Sequence, residues 1–269
     1  MEDITARREM FNQLGSIYPK QASVKTEHTT INGVSCYWLT PENPKPNKIV
    51  IHLHGGAFAV GSIQSHEAML THFAHKLQTR ILFVDYALAP ELPYPNALND
   101  VMNVYTALIT QYPDHTIDFM GDSAGGGLIV SAVGEMLKKH IQLPHTAIFI
   151  SPWISLHGDN PSYEGNRTKD PILTYEYMKS SAKDYIGALP IETVSPENVE
   201  LSAFPPVLIM VGTNEILFDD SVNFYNSVKA IQPAAKLSVY ENQVHVWMLT
   251  GMPSEASQQA LTEINEFLN

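Results

Sequence analysis

A serine between two glycines is the first feature of this sequence that could perform chemistry. Ser123 lies in the run GDSAGG, directly after a predicted strand (residues 116–120) and before a segment with helical periodicity. The pattern G-x-S-x-G at such a junction is typical of a nucleophile elbow, a sharp turn that exposes the serine Oγ. Its glycines remove Cβ atoms that would collide there. The run matches neither GxxxxGK[ST] nor GxGxxG, so a phosphate-binding turn fits it less well.

A base and an acid are then expected further along the chain, because a serine hydroxyl is a weak nucleophile until a base takes its proton. His245 follows the last predicted strand, KLSVY, and is the predicted base. The acid is expected after the strand PVLIMV, where Glu215, Asp219 and Asp220 compete. Glu215 lies nearest the end of that strand and is favoured over Asp219. The two aspartates fall where a helix begins, and helix capping or first-turn placement also explains them.

A pair of glycines follows the predicted strand KIVIHLH (residues 48–54). A tetrahedral intermediate carries a negative oxygen, and backbone N–H groups aimed at that oxygen stabilise it. We predict that the N–H groups of Gly55 and Gly56 point into the site. Ala124, the residue after the serine, is predicted to supply the third donor of this oxyanion hole.

The same strand carries an H-x-H pair, His52 and His54, which suggests a metal site as an alternative. The acidic ligand that usually continues such a motif is missing, since Gly56 stands two residues further on. His54 is instead expected to support the glycine loop, and His52 to lie in the core. No metal and no organic cofactor is expected.

Predicted strands and helices alternate from residue 48 onward. Nearly continuous apolar strands that alternate with helices indicate an α/β fold, with a mostly parallel sheet covered on both faces. The chemistry of such sheets gathers outside the carboxyl ends of the strands. Residues 155–201 are polar, contain one clear helix at about 175–185, and are expected to cross this active edge. The other strands are predicted at residues 80–86, 146–150, 206–211 and 236–240, and helices at residues 4–14, 65–77, 96–111, 221–230 and 254–267.

The acidic composition limits the classes of partner. The 269 residues carry 16 lysines and arginines against 28 aspartates and glutamates, a formal net charge of −12. Such a surface repels phosphate backbones and anionic lipids, so neither nucleic acid nor membrane partners are expected. The single cysteine, Cys36, excludes an intramolecular disulfide. The charged first residues, MEDITARREMFNQ, lack the apolar core of a secretory signal, so a cytoplasmic location is expected.

Four motifs occur in order along the chain. They are HGGAF (residues 54–58), DYALAPE (residues 85–91), GDSAGG (residues 121–126) and a late V-H-V around His245. Together they resemble the hormone-sensitive lipase family of α/β-hydrolase esterases. The resemblance implies a single α/β-hydrolase domain over residues 1–269, with a reduced cap built from about 1–45 and 155–201.

The resemblance also assigns roles to individual residues. It implies a catalytic triad of Ser123, Glu215 and His245, and an oxyanion hole of Gly55, Gly56 and Ala124. The acid in this family is usually an aspartate in a D-x-L-x-D stretch, and here Glu215 occupies the first position of that stretch. A homodimer is expected by resemblance alone.

The expected activity is that of a serine carboxylesterase, which hydrolyses small, uncharged, short-acyl esters through an acyl-enzyme intermediate. An amidase or deacetylase with the same residues is one alternative, because the sequence does not define the leaving group. A non-catalytic binding protein on this fold is another. Large side chains near the motifs either line an acyl or alcohol site or pack in the core: Phe58, Trp153, Tyr163, Trp247 and Met248.

Overall fold

One eight-stranded sheet organises the computed structural model, which describes residues 3–269. Met1 and Glu2 lie outside the described residues. The strands are β1 (Val24–Ile31), β2 (Val34–Pro41), β3 (Lys48–Leu53), β4 (Arg80–Val84), β5 (Thr116–Asp122), β6 (Ala147–Ile150), β7 (Val207–Gly212) and β8 (Lys236–Tyr240), in the spatial order β1-β2-β4-β3-β5-β6-β7-β8. Strands β3 to β8 run parallel, while β1 and β2 are antiparallel at one edge. The predicted α/β class with a mostly parallel sheet is confirmed.

Helices cover both faces of this sheet. They are α1 (Ile4–Asn12), α2 (Ile63–Leu77), α3 (Asn96–Gln111), α4 (Ala124–Lys139), α5 (Ser162–Gly165), α6 (Tyr175–Ile186), α7 (Ile191–Val194), α8 (Phe218–Lys229), α9 (Trp247–Gly251) and α10 (Glu255–Phe267). Apolar side chains of α3, α4 and α8 pack on one face, and those of α2, α9 and α10 pack on the other. Within residues 3–269, no helix combines the length and the apolar character needed to cross a bilayer.

The central strands belong to both core layers at once. Along β3, the side chains of Ile49 and Ile51 enter one layer and Val50 enters the other. Successive residues of a strand point to opposite faces, so a strand covered on both faces must be apolar throughout. This is why continuous apolar runs located these strands from sequence. Helix α3 and strand β8 begin and end at the residues predicted for them.

The hairpin of β1 and β2 was not predicted. Residues 1–45 were assigned to the cap, but residues 24–41 instead form the antiparallel edge of the sheet. Asn32 and Gly33 connect the two strands with positive φ angles of 46° and 84°, the backbone that a two-residue hairpin turn requires. Strand β1 is polar and largely exposed, which hides its alternation in the sequence. The Asn-Gly pair was the available signal.

The 155–201 segment contains more helix than the single one predicted. Helix α6 begins at the expected residue 175, and the four-residue helices α5 and α7 accompany it together with a 3-10 turn at Pro196–Asn198. A helix of one turn is too short to show a hydrophobic periodicity, so sequence patterns do not reveal it.

Strand β5 and helix α4 cross closely at the GDSAGG turn. A Cβ on Gly121 would lie 2.7 Å from the carbonyl carbon of Gly125, and a Cβ on Gly125 would overlap the carbonyl oxygen of Leu53. Both neighbours are backbone atoms and have little room to move. Glycine is therefore required on both sides of Ser123 for steric reasons.

We predict that Gly125→Ala lowers the free energy of unfolding by about 3 kcal/mol, because the new methyl group collides with β3 backbone. The matched control is Gly165→Ala, since a Cβ there meets no atom within 4 Å. It should change stability by less than about 0.5 kcal/mol. Urea unfolding of the two variants measures both values. Equal unfolding midpoints would contradict the predicted collision at Gly125.

Candidate active site

Ser123 lies at the tip of the turn between β5 and α4 in a strained backbone conformation. Its φ is 50° and its ψ is −119°, values that a residue with a Cβ rarely adopts. Backbone hydrogen bonds hold it there: its N–H donates to Ile150 (3.0 Å), and its carbonyl oxygen accepts from Gly126 (3.0 Å) and Trp153 (2.9 Å). Such strain persists only where the surroundings over-determine it. The turn places the serine hydroxyl at the carboxyl edge of the sheet.

The structure brings Ser123, His245 and Glu215 together at this edge. His245 Nε2 lies 2.9 Å from Ser123 Oγ, and His245 Nδ1 lies 3.0 Å from Glu215 Oε2. The three residues follow strands β5, β8 and β7, and all are buried. In this arrangement the imidazole can remove the hydroxyl proton, and the carboxylate can stabilise the resulting imidazolium.

The three carboxylates of the loop after β7 have separate partners. Glu215, the residue favoured from sequence, is the one beside His245. Asp219 Oδ2 accepts the N–H of Ser162 at 2.7 Å. Asp220 accepts the N–H groups of Ile154 and Ser155 at 3.0 and 2.7 Å. Both aspartates therefore anchor the 155–201 segment to the start of α8.

The Glu215 carboxylate is completely buried and accepts three hydrogen bonds. Burial raises the pKa of its carboxyl group, because water no longer solvates the charge. Hydrogen bonds to His245, Gly212 and Ser151 limit that rise. The Gly212 N–H donates to Oε1 at 2.6 Å, and the Ser151 hydroxyl donates to the same oxygen at 2.7 Å. Oε2 is left for His245.

The glycine loop differs from its sequence prediction at one residue. The N–H of Gly55 was expected to face the site, but it donates to Asp122 Oδ2 at 3.0 Å and is not free for a substrate. Gly56 and Ala57 line the cavity at Ser123 instead, with positive φ angles of 115° and 53°. Across residues 3–269, the N–H groups of Gly56, Ala57 and Ala124 have no acceptor. Position 55 must still be glycine, because a Cβ would overlap the Asp122 carboxylate.

Three buried histidines lie behind this loop, and two of them contact the Asp122 carboxylate. His52 Nε2 lies 3.2 Å from Asp122 Oδ1, and His66 Nε2 lies 3.5 Å from Oδ2. His54 turns elsewhere: its Nδ1 donates to the carbonyl oxygen of Gly55 at 2.6 Å, and its ring stacks on Tyr86. His52 and His54 therefore do not converge as a metal-binding pair. His52, His66 and Asp122 do place three ligand atoms within 4.8 Å of one another.

The pKa values of this cluster follow from burial and mutual contact. Burial lowers the pKa of His54 to about 3, and it also lowers the pKa of His52. Burial alone would raise the pKa of Asp122, but attraction to His66 and hydrogen bonding with His52 and His66 hold it well below its usual range. The ionised Asp122 thus links the serine turn to the glycine loop. His66 is distant in sequence and belongs to no motif, so sequence reasoning did not find it.

An apolar cavity of about 410 Å³ opens at Ser123 and His245. Helix α1 forms one wall and is held in place by Arg8, whose side chain donates to the carbonyl oxygen of Ala59 and pairs with Glu91 at 2.7 Å. Met10 and Ile172 lie at the mouth and are 61% and 52% exposed. The apolar lining consists of Met10, Phe11, Leu14, Val60, Pro171, Ile172, Leu173, Tyr177, Val246 and Leu249.

The large side chains near the motifs do not line this cavity. All five are at most 5% exposed and pack in the two core layers: Phe58, Trp153, Tyr163, Trp247 and Met248. Phe58, for example, stacks on Tyr185 with ring centroids 3.7 Å apart. Much of the cavity wall comes instead from α1 and the 155–201 segment, which contain none of the four motifs.

Known proteins resemble this chain over nearly its whole length. A family model described as the alpha/beta hydrolase fold matches residues 50–249. An esterase of Acinetobacter venetianus is 30% identical over 97% of this chain and 88% of its own. An acetyl-hydrolase of Streptomyces hygroscopicus is 27% identical over 91% of this chain and 83% of its own. A crystal structure of an esterase from the bacterial hormone-sensitive lipase family is 32% identical, has a TM-score of 0.95 and covers 100% of this chain and 91% of its own.

We predict that His54 makes folding stability depend on pH. Its pKa is lowered from 6.5 to about 3 by folding, so the unfolded chain binds more protons between these values. Stability therefore falls as pH falls below about 6.5, by up to about 1.4 kcal/mol per pH unit for this group. Urea unfolding from pH 7.5 to 4 should show a shallower slope for His54→Phe than for the wild type. Identical slopes would contradict the buried, neutral state of His54.

Proposed function

Since the chain belongs to the hormone-sensitive lipase group of the α/β-hydrolase fold family and is a carboxylic ester hydrolase, we propose that Ser123 is its nucleophile. His245 is the general base, and Glu215 orients and stabilises it. The observation that carries this proposal is the pair of contacts at His245, 2.9 Å to Ser123 Oγ and 3.0 Å to Glu215 Oε2. A receptor on this fold would have no need of a complete triad.

The first half-reaction forms an acyl-enzyme. His245 Nε2 accepts the Ser123 proton while Oγ attacks the ester carbonyl, and the carbonyl oxygen becomes an oxyanion. The N–H groups of Gly56, Ala57 and Ala124 are the donors proposed for that oxygen, because all three lack another acceptor within the described chain. Each such donor contributes roughly 10²–10³ in rate. Gly55 does not contact the oxyanion in this proposal. Its N–H donates to Asp122 and so holds the glycine loop in position.

The intermediate then collapses, and the cycle repeats with water. The imidazolium of His245 gives its proton to the departing alcohol, which leaves the acyl group on Ser123 Oγ. Water then attacks the acyl carbonyl while His245 removes its proton. His245 returns that proton to Ser123 Oγ as the acid product leaves. Glu215 stays ionised throughout and stabilises the imidazolium in both halves.

The proposed substrates are small, uncharged esters with short acyl chains. The cavity of about 410 Å³ is small and lined mainly by apolar side chains. A net charge of −12 opposes the approach of anions. The name of the Streptomyces relative, an acetyl-hydrolase, points to the same size of acyl group. We further propose that α1 and residues 155–201 act as a reduced cap on a single hydrolase domain.

We predict that p-nitrophenyl esters are hydrolysed fastest with short acyl chains and progressively more slowly from butyrate to palmitate. Ser123→Ala and His245→Ala should each lower kcat by on the order of 10⁴–10⁶, because nucleophile and base act as a unit. The measurement is kcat and KM for the ester series. Full activity in Ser123→Ala would overturn the proposal, and turnover of matched anilides but not esters would redirect it to an amidase.

We also predict that kcat of two variants identifies the triad acid. Glu215→Gln should lower kcat by roughly 10²–10⁴, because a neutral amide cannot stabilise the imidazolium. Asp219→Asn is the matched control, since Asp219 bonds to Ser162 and not to His245. It should remain within a few-fold of the wild type. The reverse pattern would move the acid to Asp219.

A further inference from the structure

Ser151 contacts both loops that carry the proposed acid and base. It follows strand β6 directly and is completely buried. Its hydroxyl donates to Glu215 Oε1 at 2.7 Å and accepts the backbone N–H of Val246 at 3.1 Å. Val246 is the residue after His245. One hydroxyl therefore joins the loop after β7 to the loop after β8.

The backbone at Ser151 is shaped to hold this hydroxyl in place. Its φ is 50°, in the left-handed region that favours glycine, yet the residue carries a side chain. Its N–H donates to the carbonyl oxygen of Met210 at 2.8 Å, which fixes the turn against β7. Val246 also has a positive φ, of 44°. Two strained residues thus meet through a single side-chain atom, and strained residues are common at functional sites.

A hydroxyl is the group that this position requires. The site needs one donor for a carboxylate and one acceptor for an amide, within the volume of a single small side chain. Serine supplies both functions. Alanine supplies neither, and cysteine is a weak donor and a weak acceptor.

We propose that Ser151 is a positioning residue that sets the geometry and charge of the Glu215–His245 pair through this double hydrogen bond. The proposal rests on the proposed function, in which that pair activates Ser123. Ser151 touches neither Ser123 Oγ nor the cavity, so it acts only through the acid and the base.

Loss of the hydroxyl should change the pH dependence in a defined direction. Without the Ser151 donor, ionised Glu215 is less stabilised, so its pKa rises. This rise moves the acidic limb of kcat/KM to higher pH, because His245 needs an ionised Glu215 beside it.

Charged groups on the packed segments are the same in the wild type and in the Ser151 variants. They include Lys169 and Asp170 in the 155–201 segment and Asp219 and Asp220 at the start of α8. In the part of the chain that the structure describes, the Glu215 carboxylate bonds only to Ser151, Gly212 and His245. A difference between wild type and variant therefore reports on the pair.

The test compares Ser151→Ala, Ser151→Gly and Ser151→Cys with the wild type on p-nitrophenyl acetate. Alanine keeps the backbone strain and removes the hydroxyl, whereas glycine removes both. We expect kcat to fall about 10-fold in both variants, with KM within two-fold and the acidic limb shifted upward by about half a pH unit. Cysteine should recover part of kcat. Ser131→Ala, a buried serine on α4 outside the site, is the control and should match the wild type.

Three results would overturn the proposal. These are wild-type kcat in Ser151→Gly, an unshifted pH profile in Ser151→Ala despite a lower rate, and an equal loss in Ser131→Ala. Glycine and cysteine keep the test decisive if alanine folds poorly, and urea unfolding of each variant reports its folding. Failure of the proposed function itself is recognised separately, because Ser123→Ala would then retain the wild-type rate.

Discussion

The close crossing of β5 and α4 is the constraint on which the rest of the site depends. Ser123 can present its hydroxyl only in a turn so sharp that its own φ is positive, at 50°. Gly121 and Gly125 permit the crossing because no Cβ fits between the two segments. Backbone hydrogen bonds with Ile150, Gly126 and Trp153 hold the strained residue in place. The fold thus supplies the stability that keeps one residue in an unfavourable conformation.

The same turn also organises the loop that faces it. Asp122, immediately before the serine, accepts the Gly55 N–H and lies between His52 and His66. The position of the glycine loop is therefore tied to the position of Ser123 through one buried carboxylate. On the other side, Ser151 and Gly212 share one oxygen of Glu215 and leave the second for His245. The glycine loop and Glu215 are thus each held in place by hydrogen bonds to buried neighbours.

Motifs and strand patterns predicted the alternating strands and helices of this arrangement. The α/β class and the recognition as a hormone-sensitive lipase type of esterase are confirmed. Continuous apolar strands separated by periodic helices located the elements from β3 onward, and their carboxyl ends placed Ser123, Glu215 and His245 in one region. The β1–β2 hairpin was missed, although β2 is largely apolar and half-buried, because its partner β1 is polar and largely exposed and shows no apolar alternation.

Features that depend on side-chain direction were not accessible from sequence. The direction of the Gly55 N–H, the contact of His66 with Asp122 and the bridging role of Ser151 all follow from how separate segments pack. Likewise, much of the cavity wall comes from α1 and the 155–201 segment, where spacing and composition say little about which residues face the serine.

Covalent labelling by a fluorophosphonate shows whether Ser123 is an activated nucleophile. An activated serine Oγ displaces fluoride from phosphorus, so the adduct marks the nucleophile. We expect one adduct per chain, located on Ser123 by peptide mass spectrometry, absent in Ser123→Ala and formed far more slowly in His245→Ala. An adduct on another residue, or a wild-type protein that resists labelling while it hydrolyses esters, would contradict the assignment of Ser123 as the nucleophile.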